Sequence, residues 1–200
     1  ALTYAEVPYE TIYDADVLAG RLGEFDWVHL HHEDFSGQYG KFFSAYGATA
    51  WYQQQQQEAE ASARAFGFPK VSQLKLAVAQ AIRQYVVEGG FLFAICSGAD
   101  TFDLALAAAG LDIVPAEIDG DGQTPGVRGM LDYSGTLAFQ DFHPELNVME
   151  YEHADIDDPP PPALRNPLTD YFTLFEFSAR WDPVPTMLTQ NHVASVRGFM

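Results

Sequence analysis

The sequence is poor in three things: cysteine, positive charge and long apolar runs. A single cysteine among 200 residues excludes an internal disulfide framework. Ten Lys and Arg stand against 28 Asp and Glu, for a formal net charge of -18. That balance argues against phosphate-backbone binding, which needs clustered basic side chains, so no nucleic-acid partner is expected. No stretch of 18 or more apolar residues occurs, so no membrane span is expected. What is present is core-forming material. Hydrophobic residues make up 48%, with 15 Phe and 10 Tyr, which excludes an acidic disordered chain. A chain this long buries roughly 70% of its unfolded surface and needs no metal or disulfide to hold a core. Three lysines among so many carboxylates resemble the surfaces of proteins from salt-loving organisms; an ordinary acidic protein is the other reading.

The organisation reads as one domain over 1–200. The start at Ala1-Leu2-Thr3-Tyr4 and the apolar end at Val193 to Met200 suggest part of a longer chain, an N-terminal strand lying outside it. Tyr9 to Tyr13 alternates as a strand does, Asp14 to Leu22 suits a short helix, and Phe25 to Leu30 suits a buried strand. Residues 35–68 read as an insertion or long loop, with an exposed helix from Gln53 to Ala65. Leu74, Val78, Ile82 and Val86 recur every four residues, the stripe of an amphipathic helix. Phe91 to Ile95 is a continuous apolar run of strand length, suited to a parallel strand covered on both faces. A helix over Ala99 to Ala109 and a short strand over Leu111 to Pro115 follow. Further strands are expected at Thr136 to Phe142, Asn147 to Tyr151, Tyr171 to Phe177 and Thr186 to Thr189, with an acidic, proline-rich surface loop over 155–167. Strand, helix, strand, tight turn, helix, strand is the order of an α/β domain. The expected fold class is therefore α/β: a three-layer flavodoxin-like, mostly parallel sheet with additional antiparallel strands in the C-terminal half.

The sharpest chemical feature is Gly89-Gly90-Phe91-Leu92-Phe93-Ala94-Ile95-Cys96-Ser97-Gly98. The lone cysteine sits between a buried strand and a helix, with small residues two before and two after it. Such a turn strains the nucleophile's backbone, and small neighbours let strand and helix approach. A helix N-terminus lowers a thiol's pKa, and its free N–H groups at Ser97 and Gly98 suit an oxyanion. A small buried hydrophobe at a crowded turn is the alternative for Cys96.

Ala94-Ile95-Cys96-Ser97-Gly98 resembles the nucleophile elbow of the class I glutamine amidotransferase-like superfamily, which includes glutaminase domains and DJ-1/PfpI-like proteins. The resemblance covers roughly Tyr9 to Pro115 in layout. Phe142-His143-Pro144-Glu145 resembles the motif in which that family's glutaminases carry the base and the acid that orients it. His143 follows Cys96 by only 47 positions, fewer than is usual there; His192 lies at a more usual separation but has no trailing acid. Both remain candidate bases. The chain also resembles a group of bacterial proteins labelled "asparagine synthetase B", through His31-His32-Glu33-Asp34-Phe35, Lys75 to Gln80 and Trp181 to Met187. Enzymes properly of that name resemble N-terminal-nucleophile amidotransferases joined to an ATP-binding synthetase. This sequence has its only cysteine inside the chain and no phosphate-binding Gly-rich loop, so the label implies no activity.

His31, His32, Glu33 and Asp34 close the second strand, where α/β sheets place their ligands. They suit substrate binding. His-x-His spacing at His29 and His31 also occurs in metal sites, but no third ligand is evident, so no metal and no cofactor are assigned. Asp119 to Gly122 and the run through Glu150, Glu152, His153, Asp155, Asp157 and Asp158 lack EF-hand spacing and read as solvated acidic loops. Two functions are in view. One is a cysteine-dependent amide hydrolase or amidotransferase-like enzyme acting on a small amide or amino-acid-like substrate, with Cys96, His192 or His143, and Glu145 as its machinery. The other is a non-catalytic binding or assembly domain with a protein partner. One unpaired cysteine fits either a cytoplasmic or an exported protein.

Overall fold

The computed structural model describes residues 2–3, 6–158, 172–176, 186–190, 195–196 and 198–200. The chain divides into two compact units, the larger Tyr13–Ile156 with Arg197–Met200, the smaller Ala1–Ile12 with Asp157–Val196.

The larger unit is mixed helix and strand around a two-stranded parallel sheet. Helix α1 (Asp14–Leu18) starts where the Tyr13 N–H donates to the Asp16 carboxylate. That cap occupies the end of the expected Tyr9 to Tyr13 strand, and no strand pairing occurs there. Strand β1 (Trp27–His31) leads through a one-turn 3₁₀ segment and α2 (Phe43–Tyr46) to α3 (Ala50–Ala65) and α4 (Val71–Val87). In the glutamine run of α3, Gln53, Gln54, Gln55 and Gln57 are exposed and Gln56 is half-buried, donating to the Ile118 carbonyl at 2.6 Å, while Tyr52 and Ala63 face inward. In α4 the expected stripe is buried at Leu74, Val78 and Ile82. Strand β2 (Phe91–Ile95) then pairs with β1 in parallel, Trp27 opposite Phe91 and His31 opposite Ile95. Helix α5 (Ser97–Ala107) follows after one residue and packs on both strands and on α4.

One face of this sheet is apolar yet exposed. Trp27 stacks on Phe91 at 6.2 Å and His29 tilts on Phe93 at 5.1 Å, and all four side chains keep contact with solvent. The main core gathers on the far half of α5, where Leu104, Ala107 and Ala108 meet Ile113, Val127, Phe139, Phe142, Ala154 and Ile156. The segments after α5 form α6 (Ala116–Asp119) and irregular loops rather than the expected strands at 111–115, 136–142 and 147–151. Among the described residues, 136–142 pairs through a single bridge from Phe139 to Phe199.

In the smaller unit, β3 (Asp157–Asp158) pairs antiparallel with β6 (Ser195–Val196), and β4 (Phe172–Glu176) pairs antiparallel with β5 (Thr186–Gln190). Among the described residues no helix is long and apolar enough to cross a membrane.

Candidate functional site

Cys96 occupies the single residue between β2 and α5. Its backbone sits at φ 55°, ψ -143°, a region that L side chains avoid at a cost of about 1–3 kcal/mol. Its side chain is exposed. Two residues on, a Cβ at Gly98 would lie 3.2 Å from the Cβ of Leu30, so glycine lets α5 close onto β1 there. Ser97 and Gly98 form the first turn of α5, whose N–H groups have no intrahelical acceptor. Such donors can hold an anion beside the thiol.

The end of β1 adjoins this turn, because His31 is in register with Ile95. The chain reverses at His32, which takes φ 58°. The His31 and His32 Nδ1 atoms are 2.9 Å apart. Loss of water contact, then the charges of His32 and His29, lower the pKa of His31 and favour its neutral form. The Glu33 carboxylate pairs with Lys75, whose ammonium also meets Asp14 at 2.9 Å. Asp34 turns inward and accepts from Ser36 N–H at 2.7 Å, Ser36 Oγ at 2.6 Å and Gly40 N–H at 2.6 Å. Thr101 of α5 ties this loop to the elbow helix: its hydroxyl accepts from Phe35 N–H at 3.1 Å and reaches the carbonyls of Ser97 and Glu33. The His31–Asp34 group is thus assembled beside the cysteine turn, with both carboxylates already engaged.

His143 and Glu145 lie in the loops after α6 and do not pair with one another. The His143 ring faces Asp155 at 3.2 Å and is about half exposed. Glu145 accepts from Asn147 N–H at 2.8 Å and approaches Arg128 at 3.5 Å. His192 lies outside the described residues. Among the described residues no histidine is hydrogen-bonded to the Cys96 thiol.

The structure adds a residue that sequence reading placed in a solvated acidic loop. His153 is 5% exposed, between Asp34 at 3.6 Å from its Nε2 and Asp100 at 4.0 Å from its Nδ1. Burial alone would lower its pKa, but Asp34 and Asp100 raise it above the usual histidine value. Burial likewise opposes Asp34 ionisation, and the His153 charge with the Ser36 and Gly40 donors overrides it, holding the carboxyl far below the usual range. Lys41, one of three lysines, is buried beside them and donates to the carbonyls of Glu145 and Asn147 at 3.1 Å each. Tyr39 and Lys41 both hold positive φ, so strain is concentrated in the loop from His32 to Lys41 as well as at Cys96. The sequence signal available was small: a lone histidine followed by the apolar Ala154 and Ile156, both buried.

A second cation-shaped arrangement is already filled. Oxygens of Asp112, Asp119 and Asp121 lie within 4.8 Å of one another. The Lys70 ammonium sits among them, 3.1 Å from Asp119, 2.5 Å from Asp121 and bonded to Asp112. Cavities of about 210 and 220 Å³ flank Lys70 and Ser72, and among the described residues neither Cys96 nor a histidine lines them. Comparison of the chain with family models, with curated proteins and with solved structures finds no match.

Proposed function

We propose that the protein is a cysteine-dependent amide hydrolase or amidotransferase-like domain, built on a three-layer flavodoxin-like fold. The observation that carries this reading is the backbone of Cys96: positive φ, exposed, one residue from a parallel strand and one from a helix. A buried structural cysteine has no need of that strain. In the proposed reaction the Cys96 thiolate attacks the carbonyl carbon of a small amide or amino-acid-like substrate. The N–H groups of Ser97 and Gly98 hold the oxyanion. His192 or His143 gives a proton to the departing amine, and water then hydrolyses the thioester. His31 and His32 flank the substrate.

The absence of a histidine hydrogen bond to Cys96 among the described residues favours a second reading, a non-catalytic binding or assembly domain on the same fold. The pH dependence of Cys96 alkylation separates the two, with Cys96→Ser as blank and His143→Ala and His192→Ala alongside. The hydrolase reading expects labelling faster than a free thiol at neutral pH, with an apparent pKa below about 8.5. Loss of that rate in one histidine variant identifies the base. Slow labelling of the folded wild type overturns the hydrolase reading and leaves the binding domain.

A further inference from the structure

Buried charges gather at the first turns of α5, next to the Cys96 turn. Three segments distant in sequence meet at His153: the strained loop after β1 supplies Asp34, the first turns of α5 supply Asp100, and the segment carrying Tyr151 supplies the histidine. Asp100 stands four residues after Cys96, one helical turn along. Thr101, the next residue of α5, ties the same two segments together, its hydroxyl accepting from Phe35 N–H at 3.1 Å and donating to the Glu33 carbonyl at 3.2 Å. A buried imidazole with a carboxylate on each side costs much to desolvate, and removing one partner strands the others. Such a group is out of place in a loop that only needs to reach the next element.

We propose that His153 is the positioning residue of the Cys96 site: its ring, gripped between Asp34 and Asp100, locks the loop after β1 to the start of α5 and tunes the charge felt by the thiol. This rests on reading Cys96 as the nucleophile. Among the described residues the charged groups acting on His153 are Asp34, Asp100 and Lys41, and the His31–His32 pair stands at the end of β1, beside the Cys96 turn. As a cation His153 favours the thiolate, and Asp100 opposes it.

The test is the rate of Cys96 alkylation against pH in wild type, His153→Gln, Asp34→Asn and Asp100→Asn, with circular dichroism to show that each is folded. His153→Gln should slow alkylation at pH 7 by about threefold or more, since a neighbouring cation is lost. Asp34→Asn should slow it less, by letting His153 deprotonate. Asp100→Asn should speed it. A purely structural clamp would move all three the same way, and that result, or unchanged profiles, overturns the proposal. The wild-type rate relative to a free thiol judges the hydrolase reading separately, because the differences among variants are readable for a slow thiol too. Where a variant fails to fold, ¹³C-histidine NMR of the wild type decides. The His153 signal should titrate above about 6.5 and respond again as Cys96 ionises, a response missing in Cys96→Ser. A single titration, alike in both proteins, rejects the coupling.

Discussion

Each of the three lysines places its ammonium in the fold rather than in open solvent. Lys41 donates to two carbonyls, Lys70 meets three aspartates, and Lys75 meets Asp14 and Glu33. A chain with so little positive charge keeps it where carboxylates or carbonyl oxygens would otherwise lie unpaired. His153 and Asp34 extend that logic to a titrating pair. Asp34 has a depressed folded-state pKa, so its contribution is present above about pH 4 and fades as pH falls through the folded value. His153 has a raised one, so its contribution is full below about pH 6.5 and is lost as pH rises through the folded value. The pair therefore stabilises most between about pH 4 and 6.5. His153→Gln should cost about 2 kcal/mol or more at pH 5.5, by urea denaturation, and clearly less at pH 8.5. A larger loss at the higher pH would contradict the assigned directions.

Among the elements, α5 does more than carry the elbow. Its Asp103 is buried and accepts from the N–H groups of Leu137, Ala138 and Phe139 at 2.7–2.8 Å. Burial raises its pKa against those three donors. Asp103→Ala would leave three backbone donors without a partner, which should cost about 3 kcal/mol or more, while Asp103→Asn, keeping one acceptor oxygen, should cost less. Equal stability of Asp103→Ala and wild type in urea would show that water replaces the carboxylate. The same bonds explain where the sequence was legible and where it was not. The α4 stripe and the β2 run announce themselves because burial follows their own periodicity. Residues 136–142 have strand composition, but three of their donors are claimed by a carboxylate more than 30 positions earlier. Asp112 likewise accepts from Val114 N–H, and Asn147 from Met149 N–H, turning two more expected strands into loops. Local side-chain acceptors compete with a ladder, and pattern alone does not rank the two. At the site the elbow was legible, since an apolar run, small residues and a helix are contiguous at Cys96. His153 was not, because its partners come from two other segments.

For the whole molecule the dominant quantity is the charge of -18 on 200 residues. With the lysines committed internally, surface carboxylates repel one another with few counter-charges among them, and self-repulsion destabilises the compact state. Salt acts on this unequally. The Debye length falls from about 10 Å at 0.1 M to about 3 Å at 1 M, which screens exposed charges but touches partly buried pairs such as Lys70 with Asp112 much less. Net stability should therefore rise with salt. If relief of repulsion contributes about 1–2 kcal/mol, Tm should climb by roughly 2–8 °C between 0.1 and 1 M potassium chloride, given about 2–4 °C per kcal/mol at this size. Chloride is chosen over sulfate because sulfate strengthens apolar burial on its own account. The control is pH. Near the sequence pI of about 4.4 the net charge vanishes, and the salt effect should shrink with it. A Tm that falls with salt at pH 7 would mean that the internal ion pairs outweigh surface repulsion.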